Sequence, residues 1–303
     1  MLQFQPVTLK DKMLISEFMA KRPPVIIEHS FNTLFAWQEQ HAFEWAVFED
    51  WLIIKTTYQG ITSMLPPLGP REGLVKPLKE VLSYFEKNSL PCLFTEATLS
   101  DISYILRTLP NTFKTVPDRN AANYIYRARD LLELKGKRYH SKKNHINTFR
   151  KNYPHHSFLP LTTRLIPYCI ETLEEWCIQH NCKIYPTLLQ EKTAILKLFE
   201  NFGDLDYLGA CMVVNGKIEG FTIGEQLNEN TVAIQIEKAN GAIKGLYPAI
   251  NQMFLTQFWQ NNLYVNRAED LGLANLRKAK MSYHPCALAM KYQIKLLSPC
   301  HCC

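Results

Sequence analysis

The chain has 303 residues, 47% of them hydrophobic and 20% charged, with a formal net charge of +6. These are the proportions of one large or two medium folded domains, not of a disordered or fibrous chain. There is no apolar run of membrane-spanning length, MLQFQPVTLKDKM lacks a signal-peptide core, and the nine cysteines show no framework spacing, so a cytoplasmic chain is expected rather than a transmembrane, secreted or disulfide-built one.

In chain order, residues 1–24 are expected to form a helical lead-in, with Leu14, Phe18 and Met19 on one side. Val25–Glu28 reads as a short strand and Phe31–Trp37 as an aromatic turn or short helix. Trp45–Phe48 and Trp51–Tyr58 are rich in β-branched and aromatic residues and read as a hairpin around Glu49-Asp50. Ser63–Pro70 is expected to be a rigid loop. Leu74–Asn88 has apolar residues at helical spacing; Leu90–Glu96 follows as a strand and Leu99–Leu109 as a helix.

The most distinctive stretch is Asp130–Tyr153. From Lys135 to Lys151 it holds seven Lys/Arg, two His and no acid, while Tyr139, Ile146, Phe149 and Tyr153 recur at helical spacing. One long helix is expected here, apolar on one side and cationic on the other, stopped by Pro154. A cationic face without acids suits a phosphate-bearing ligand, whether RNA, a lipid head group or a phosphorylated cofactor; a merely solvated basic face is the alternative.

Helices are expected over Leu165–His180 and Leu188–Asn201. Leu205–Val214 and Ile218–Glu225 read as strands joined by Asn215-Gly216, a hairpin signal. Thr231–Glu237 is a third strand, and a glycine loop over 239–245 leads into a helix over Leu246–Trp259. Strands are expected at Tyr264–Arg267 and Gln293–Leu297. Each half thus contains a strand, a Gly- or Pro-containing loop and a helix, a pattern of structural duplication. Antiparallel strands interleaved with helices argue for an α+β architecture.

Three constellations are chemical candidates. In the loop 239–245, Gly241 and Gly245 stand before a helix N-terminus beside Lys244, a pattern that lets backbone N–H groups approach an anion; ordinary turn chemistry explains it equally well. After the strand ending near Asn266 come Arg267, Glu269, Asp270, Arg277, Lys278, Lys280, Tyr283 and His284, and strand ends commonly carry reactive groups. There Arg277 and Lys280 are one helical turn apart and Asp270 is placed to orient one of them, or the loop is a plain ion-paired surface. Glu237 closes a strand before the glycine loop, as a general base or as a solvated edge carboxylate. The terminal Pro299-Cys-His-Cys-Cys303 reads as frayed thiols.

Tyr124-Ile-Tyr126, DLLELKGKRYHSKKNHINTFRKNY, GLYPAINQMF and NRAEDLGLANLRKAKMSYHP together resemble the family of the soluble C-terminal domain of bacterial phosphatidylglycerol lysyltransferases. The resemblance implies two tandem GNAT-like halves, similar to the Fem aminoacyltransferases, with each half a mixed, mainly antiparallel sheet flanked by helices. We place the halves at residues 1–122 and 123–303, with the basic helix over 130–153 at the seam. In membrane-anchored members, an aminoacyl group moves from aminoacyl-tRNA to a glycerol hydroxyl of phosphatidylglycerol. Carried over by motif, Lys135, Lys137, Arg138, His140, Lys142, Lys143, Asn144 and His145 match the family's basic segment, while Asp270, Arg277 and Lys280 match its C-terminal segment.

The expectation is therefore an aminoacyltransferase with no cofactor of its own. The basic segment would hold tRNA phosphates, Arg277 and Lys280 would stabilise the ester oxyanion or the leaving 3′ end, and Asp270 or Glu237 would position or deprotonate a hydroxyl or amine acceptor on a lipid or small molecule. Two alternatives stay open: an acyltransferase using acyl-CoA as donor, with loop 239–245 on the pyrophosphate, or a non-catalytic protein docking on RNA or on an anionic membrane as a peripheral partner.

Overall fold

A computed structural model describes residues 2–70 and 72–297 of the chain; the Cys300–Cys303 tail lies outside the described residues. The chain divides into two compact units, one comprising 1–123, 269–272 and 289–303, the other 124–268 and 273–288.

The first unit begins with a two-residue strand, β1 (Gln5–Pro6), and the helices α1 (Lys12–Lys21), α2 (Phe31–Ala36) and α3 (Gln38–His41). The hairpin reading at Glu49-Asp50 holds: β2 (Glu44–Phe48) pairs antiparallel with β3 (Trp51–Tyr58). Ser63–Pro70 is not wholly loop, because β4 (Ile61–Met64) pairs antiparallel with β3 and supplies its first two residues. Next come α4 (Val75–Lys87), β5 (Leu93–Ala97) and α5 (Leu99–Thr108). A reciprocal Thr98–Asp101 capping box starts α5, satisfying two backbone donors at once. Leu78, Val81 and Phe85 of α4 pack with Ile53, Met64 and Phe94 as the core of this unit. Val25–Glu28 is not a strand: Ile27–His29 forms a 3-10 turn, its Ile27 N–H donating to the Asn123 side chain at 3.0 Å.

The strand β6 (Phe113–Arg127) begins in the first unit and ends in the second. The single helix expected over 130–153 is broken. α6 (Ala128–Glu133) stops at Leu134, whose φ is +47°, and Gly136 turns with φ +90° before a 3-10 turn over Lys137–Tyr139 and α7 (His140–Asn152). A left-handed residue at Leu134 followed two positions later by the extended, positive-φ Gly136 cannot continue an α-helix, and glycine lowers the cost of that turn. The amphipathic reading survives, because Tyr139, Ile146 and Phe149 are buried against Met212, Leu246 and Ile250.

The second unit continues with β7 (Ser157–Pro160), α8 (Ile166–Gln179), α9 (Pro186–Glu200), β8 (Leu208–Val214), β9 (Lys217–Asn228), β10 (Thr231–Ala239), α10 (Leu246–Phe258), β11 (Tyr264–Asn266) and α11 (Ala274–Met281). Its strands run β6-β11-β10-β9-β8-β7, all neighbours antiparallel except the parallel pair β10–β11. Asn215 and Gly216, both at positive φ, make the β8–β9 hairpin turn. α8 and α9 pack on one side of β9, where Phe199 meets Phe221; α10 packs on the other, where a Cβ on Gly220 would strike Ile250. The last strand, β12 (Ala287–Leu296), gives residues from 289 onward to the first unit, where it lies between β5 and β6. Each unit is thus a mixed, mainly antiparallel sheet with flanking helices.

Candidate functional site

In the second unit, the parallel strands β10 and β11 bring Glu237 and Arg267 together. Arg267 Nη2 donates to Glu237 Oε1 at 3.0 Å, with the two side chains only 14% and 12% exposed. Asn251 of α10 donates to the other carboxylate oxygen at 3.0 Å. The guanidinium lies 4.8 Å from the Tyr283 ring and 5.9 Å from the Tyr126 ring, and its Nη1 is buried without a hydrogen-bond partner. Burial works against the Arg267 charge, but Glu237 together with the Tyr283 and Tyr126 phenols outweighs it and holds the guanidinium above its ordinary pKa. Burial pushes the Tyr283 phenol up to about 12.

Lys142, on the half-buried side of α7, brings a second cation to this cluster, with its Nζ 4.2 Å from the Tyr283 ring. Burial and then the Arg267 charge lower its pKa. His145, one turn on, is lowered by burial and by Lys142 and Lys244. Lys280 donates its ammonium to the Arg267 carbonyl, and Tyr126 donates its hydroxyl to the Lys280 carbonyl at 2.9 Å. Two cations, a fixed carboxylate and two phenols at paired strand ends can stabilise an oxyanion and relay a proton.

The other sequence candidates divide. Glu237 and Lys280 join this cluster. Arg277 is half-exposed on α11. Asp270, fully buried in the first unit, accepts from Arg119 at 3.2 Å and from the Gly272 backbone at 2.9 Å, so it shapes its own loop. In the basic segment, Lys135 pairs with Glu133 and Arg138 with Asp130, each at 3.0 Å, while Lys137, His140, Lys143 and Asn144 point to solvent. Gly245 has a packing reason: its φ is +87° and a Cβ there would meet the His145 carbonyl. Gly241 sits in open space and Lys244 is exposed.

Sequence reasoning missed a second cluster, within the first unit. Lys291 of β12, 4% exposed, lies 2.5 Å from Glu28 and 2.8 Å from Glu96. Asn123 donates to Glu28 at 3.3 Å and to Glu269 at 3.4 Å. Burial opposes the Lys291 charge, and Glu28 and Glu96 outweigh it, raising the pKa above its ordinary value. Glu96 takes φ +55° inside its strand, a strained conformation of the kind that gathers at functional sites. Carboxylates from two distant segments meet one ammonium here, with Glu269 of a third joined through Asn123, and no local sequence pattern marks such a meeting. Arg267 was visible as one charged residue among many, but its partner Glu237 lies thirty positions away.

Two units of this architecture, one with a charged cluster at paired strand ends, define an α+β protein of the GNAT-like kind. The chain belongs to the family described as phosphatidylglycerol lysyltransferase, C-terminal, which it matches over residues 22–295. A conserved protein of unknown function from Bacteroides thetaiotaomicron is similar over 98% of this chain and 100% of its own, at 33% identity and a TM-score of 0.93. The C-terminal domain of a putative lysylphosphatidylglycerol synthetase from Agrobacterium fabrum aligns over 95% of this chain and 92% of its own, at 10% identity and a TM-score of 0.66. A tandem GNAT protein from the clavulanic acid biosynthesis pathway shares the fold at a TM-score of 0.52 and 10% identity, over 99% of each chain. Among curated proteins, an uncharacterized protein of Mycoplasmoides gallisepticum is 24% identical over 183 residues, 59% of this chain and 57% of that protein's length.

Proposed function

We propose that this chain is an aminoacyltransferase that moves an aminoacyl group from aminoacyl-tRNA to a hydroxyl of phosphatidylglycerol, acting on the cytoplasmic side where the donor is found. The observation that carries the reading is the pair of cations, Arg267 and Lys142, on the Tyr283 ring in a chain of this family. The acceptor oxygen bonds to the ester carbonyl carbon, the bond from that carbon to the ribose oxygen breaks, and the acceptor's proton ends on the ribose oxygen. Negative charge builds on the carbonyl oxygen in between. Arg267 keeps its proton and meets that charge without reorganising, since Glu237 and Asn251 already fix this ion pair. A lysine with a lowered pKa, such as Lys142, suits carrying the proton from acceptor to leaving oxygen. Lys280, tied to the Arg267 carbonyl, positions Arg267. The exposed Lys137, His140, Lys143 and Asn144, with Lys135, Arg138, His145 and Lys244, hold tRNA phosphates by charge. In this scheme Arg277 touches the donor's 3′ end, Gly241 and Gly245 shape the loop beneath it, and Asp270 orders the loop before α11.

The test incubates purified protein with a pool of radiolabelled aminoacyl-tRNAs and phosphatidylglycerol vesicles. Label is expected to enter a ribonuclease-resistant lipid product, and Arg267→Lys and Lys142→Ala are expected to lose most of it. Intact donor with no transfer to lipid would refute the reading. Stabilisation by acyl-CoA instead would move the donor to that class.

A further inference from the structure

The turn between α8 and α9 and the helix ends beside it expose large apolar side chains. Ile178 is 75% exposed, Ile184 71%, Tyr185 55% and Leu189 45%. The backbone beneath them is held firmly. Cys182 is buried, and its N–H donates to the Cys177 carbonyl at 3.0 Å. Ile184 donates to the Asn181 carbonyl at 2.8 Å, and Asn181 takes the left-handed turn at φ +54°. Ile184 and Tyr185 are therefore presented outward by a hydrogen-bonded turn rather than left loose.

The charge pattern indicates what covers them. Between Glu175 and Glu191 there is no acidic residue, and Lys183 stands exposed beside Ile184 and Tyr185. The acids that flank the stretch are matched, Glu175 by Lys217 at 2.6 Å and Glu191 by Lys238 at 2.7 Å. An apolar tip with an interfacial tyrosine, a lysine and no acid is complementary to a surface that is oily below and negative at its rim.

We propose that the α8–α9 turn is the element by which this chain seats on an anionic phospholipid bilayer. Ile184 and Tyr185 enter the interface and Lys183 stays among the head-group phosphates. The inference rests on the lipid-acceptor reading above and deepens it by naming the surface that meets the bilayer holding the acceptor.

The experiment measures sedimentation of the full chain with phosphatidylcholine vesicles, with and without phosphatidylglycerol, alongside light scattering and circular dichroism. The wild type is expected to sediment with the anionic vesicles, keeping part of that binding at high salt, because apolar insertion is not screened as ion pairing is. Ile184→Asp combined with Tyr185→Asp is expected to lower the affinity on the order of tenfold or more, with circular dichroism unchanged. Lys183→Glu, which leaves the apolar tip intact, is expected to weaken binding to the anionic vesicles alone. Undiminished vesicle binding by the double variant would overturn the proposal. So would a wild-type dimer that the double variant lacks, which would make the turn an interface between copies of this chain. Aminoacyl transfer to a water-soluble polyol is expected to survive in the double variant while transfer to vesicle lipid falls. Tip-dependent vesicle binding without any aminoacyl transfer would uphold the docking surface and defeat the reading of function instead.

Discussion

Replacing Glu237 tests the cluster most directly. In Glu237→Ala the Arg267 guanidinium stays charged and only 14% exposed, having lost its carboxylate at 3.0 Å, while Asn251 loses its acceptor at the same distance. Removing one partner of a buried ion pair costs about 3–5 kcal/mol, and the residual exposure of both side chains places this case near 3. With a urea dependence of roughly 3 kcal/mol per molar, the unfolding midpoint should fall by about 1 M at an unchanged slope. Glu237→Gln keeps an acceptor for Arg267, and the Asn251 amide can turn to accept from the new one, so only the charge is lost and about 1–2 kcal/mol is expected. Adding Arg267→Met to Glu237→Ala should recover part of the loss, because the orphaned cation is gone. If alanine costs no more than glutamine, or the second substitution makes matters worse, Glu237 is not holding the Arg267 charge.

Three further outcomes are expected. Burial holds the His29 imidazole below its ordinary 6.5, against the raising influence of Asp101 and Glu96 and with the help of Arg22 and Lys291. The unfolded chain therefore binds the proton first, and stability should fall as pH drops from 6.5 towards the lower folded-state value; melting curves across that range should show a shallower decline in His29→Gln. Lys291→Met should destabilise the first unit by about 3 kcal/mol in urea titrations, because Glu28 and Glu96 lose their cation, and a further Glu28→Gln should restore part of it. Gly245→Ala should cost at least about 1 kcal/mol in thermal melts, since both its left-handed backbone and the His145 carbonyl oppose a side chain there.

Elements with strong local signals were readable in the sequence. The β8–β9 hairpin followed from Asn215-Gly216, α4 from the spacing of Leu74, Leu78, Leu82 and Phe85, and the buried face of the basic segment from Tyr139, Ile146 and Phe149. Readings failed where backbone torsion decided the matter, as at Leu134 and Gly136, where a run that looked like one helix is broken. Val25–Glu28 has strand-like residues yet turns as a 3-10 helix against Asn123, a partner nearly a hundred positions away.

The site divides in the same way. Composition and motif by themselves determined an α+β chain with a cationic segment, its family, and a charged stretch after a strand, because those properties reside in neighbouring residues. Which charges face one another was decided only by tertiary structure. Glu237 reaches Arg267 through the parallel pairing of β10 with β11, Lys142 turns inward to Tyr283 while Lys143 faces water, and Lys291 collects Glu28 and Glu96. The physical reason is that the cost of burying a charge is met by whichever opposite charge the chain path brings within about 3 Å, and that partner carries no mark in the local sequence.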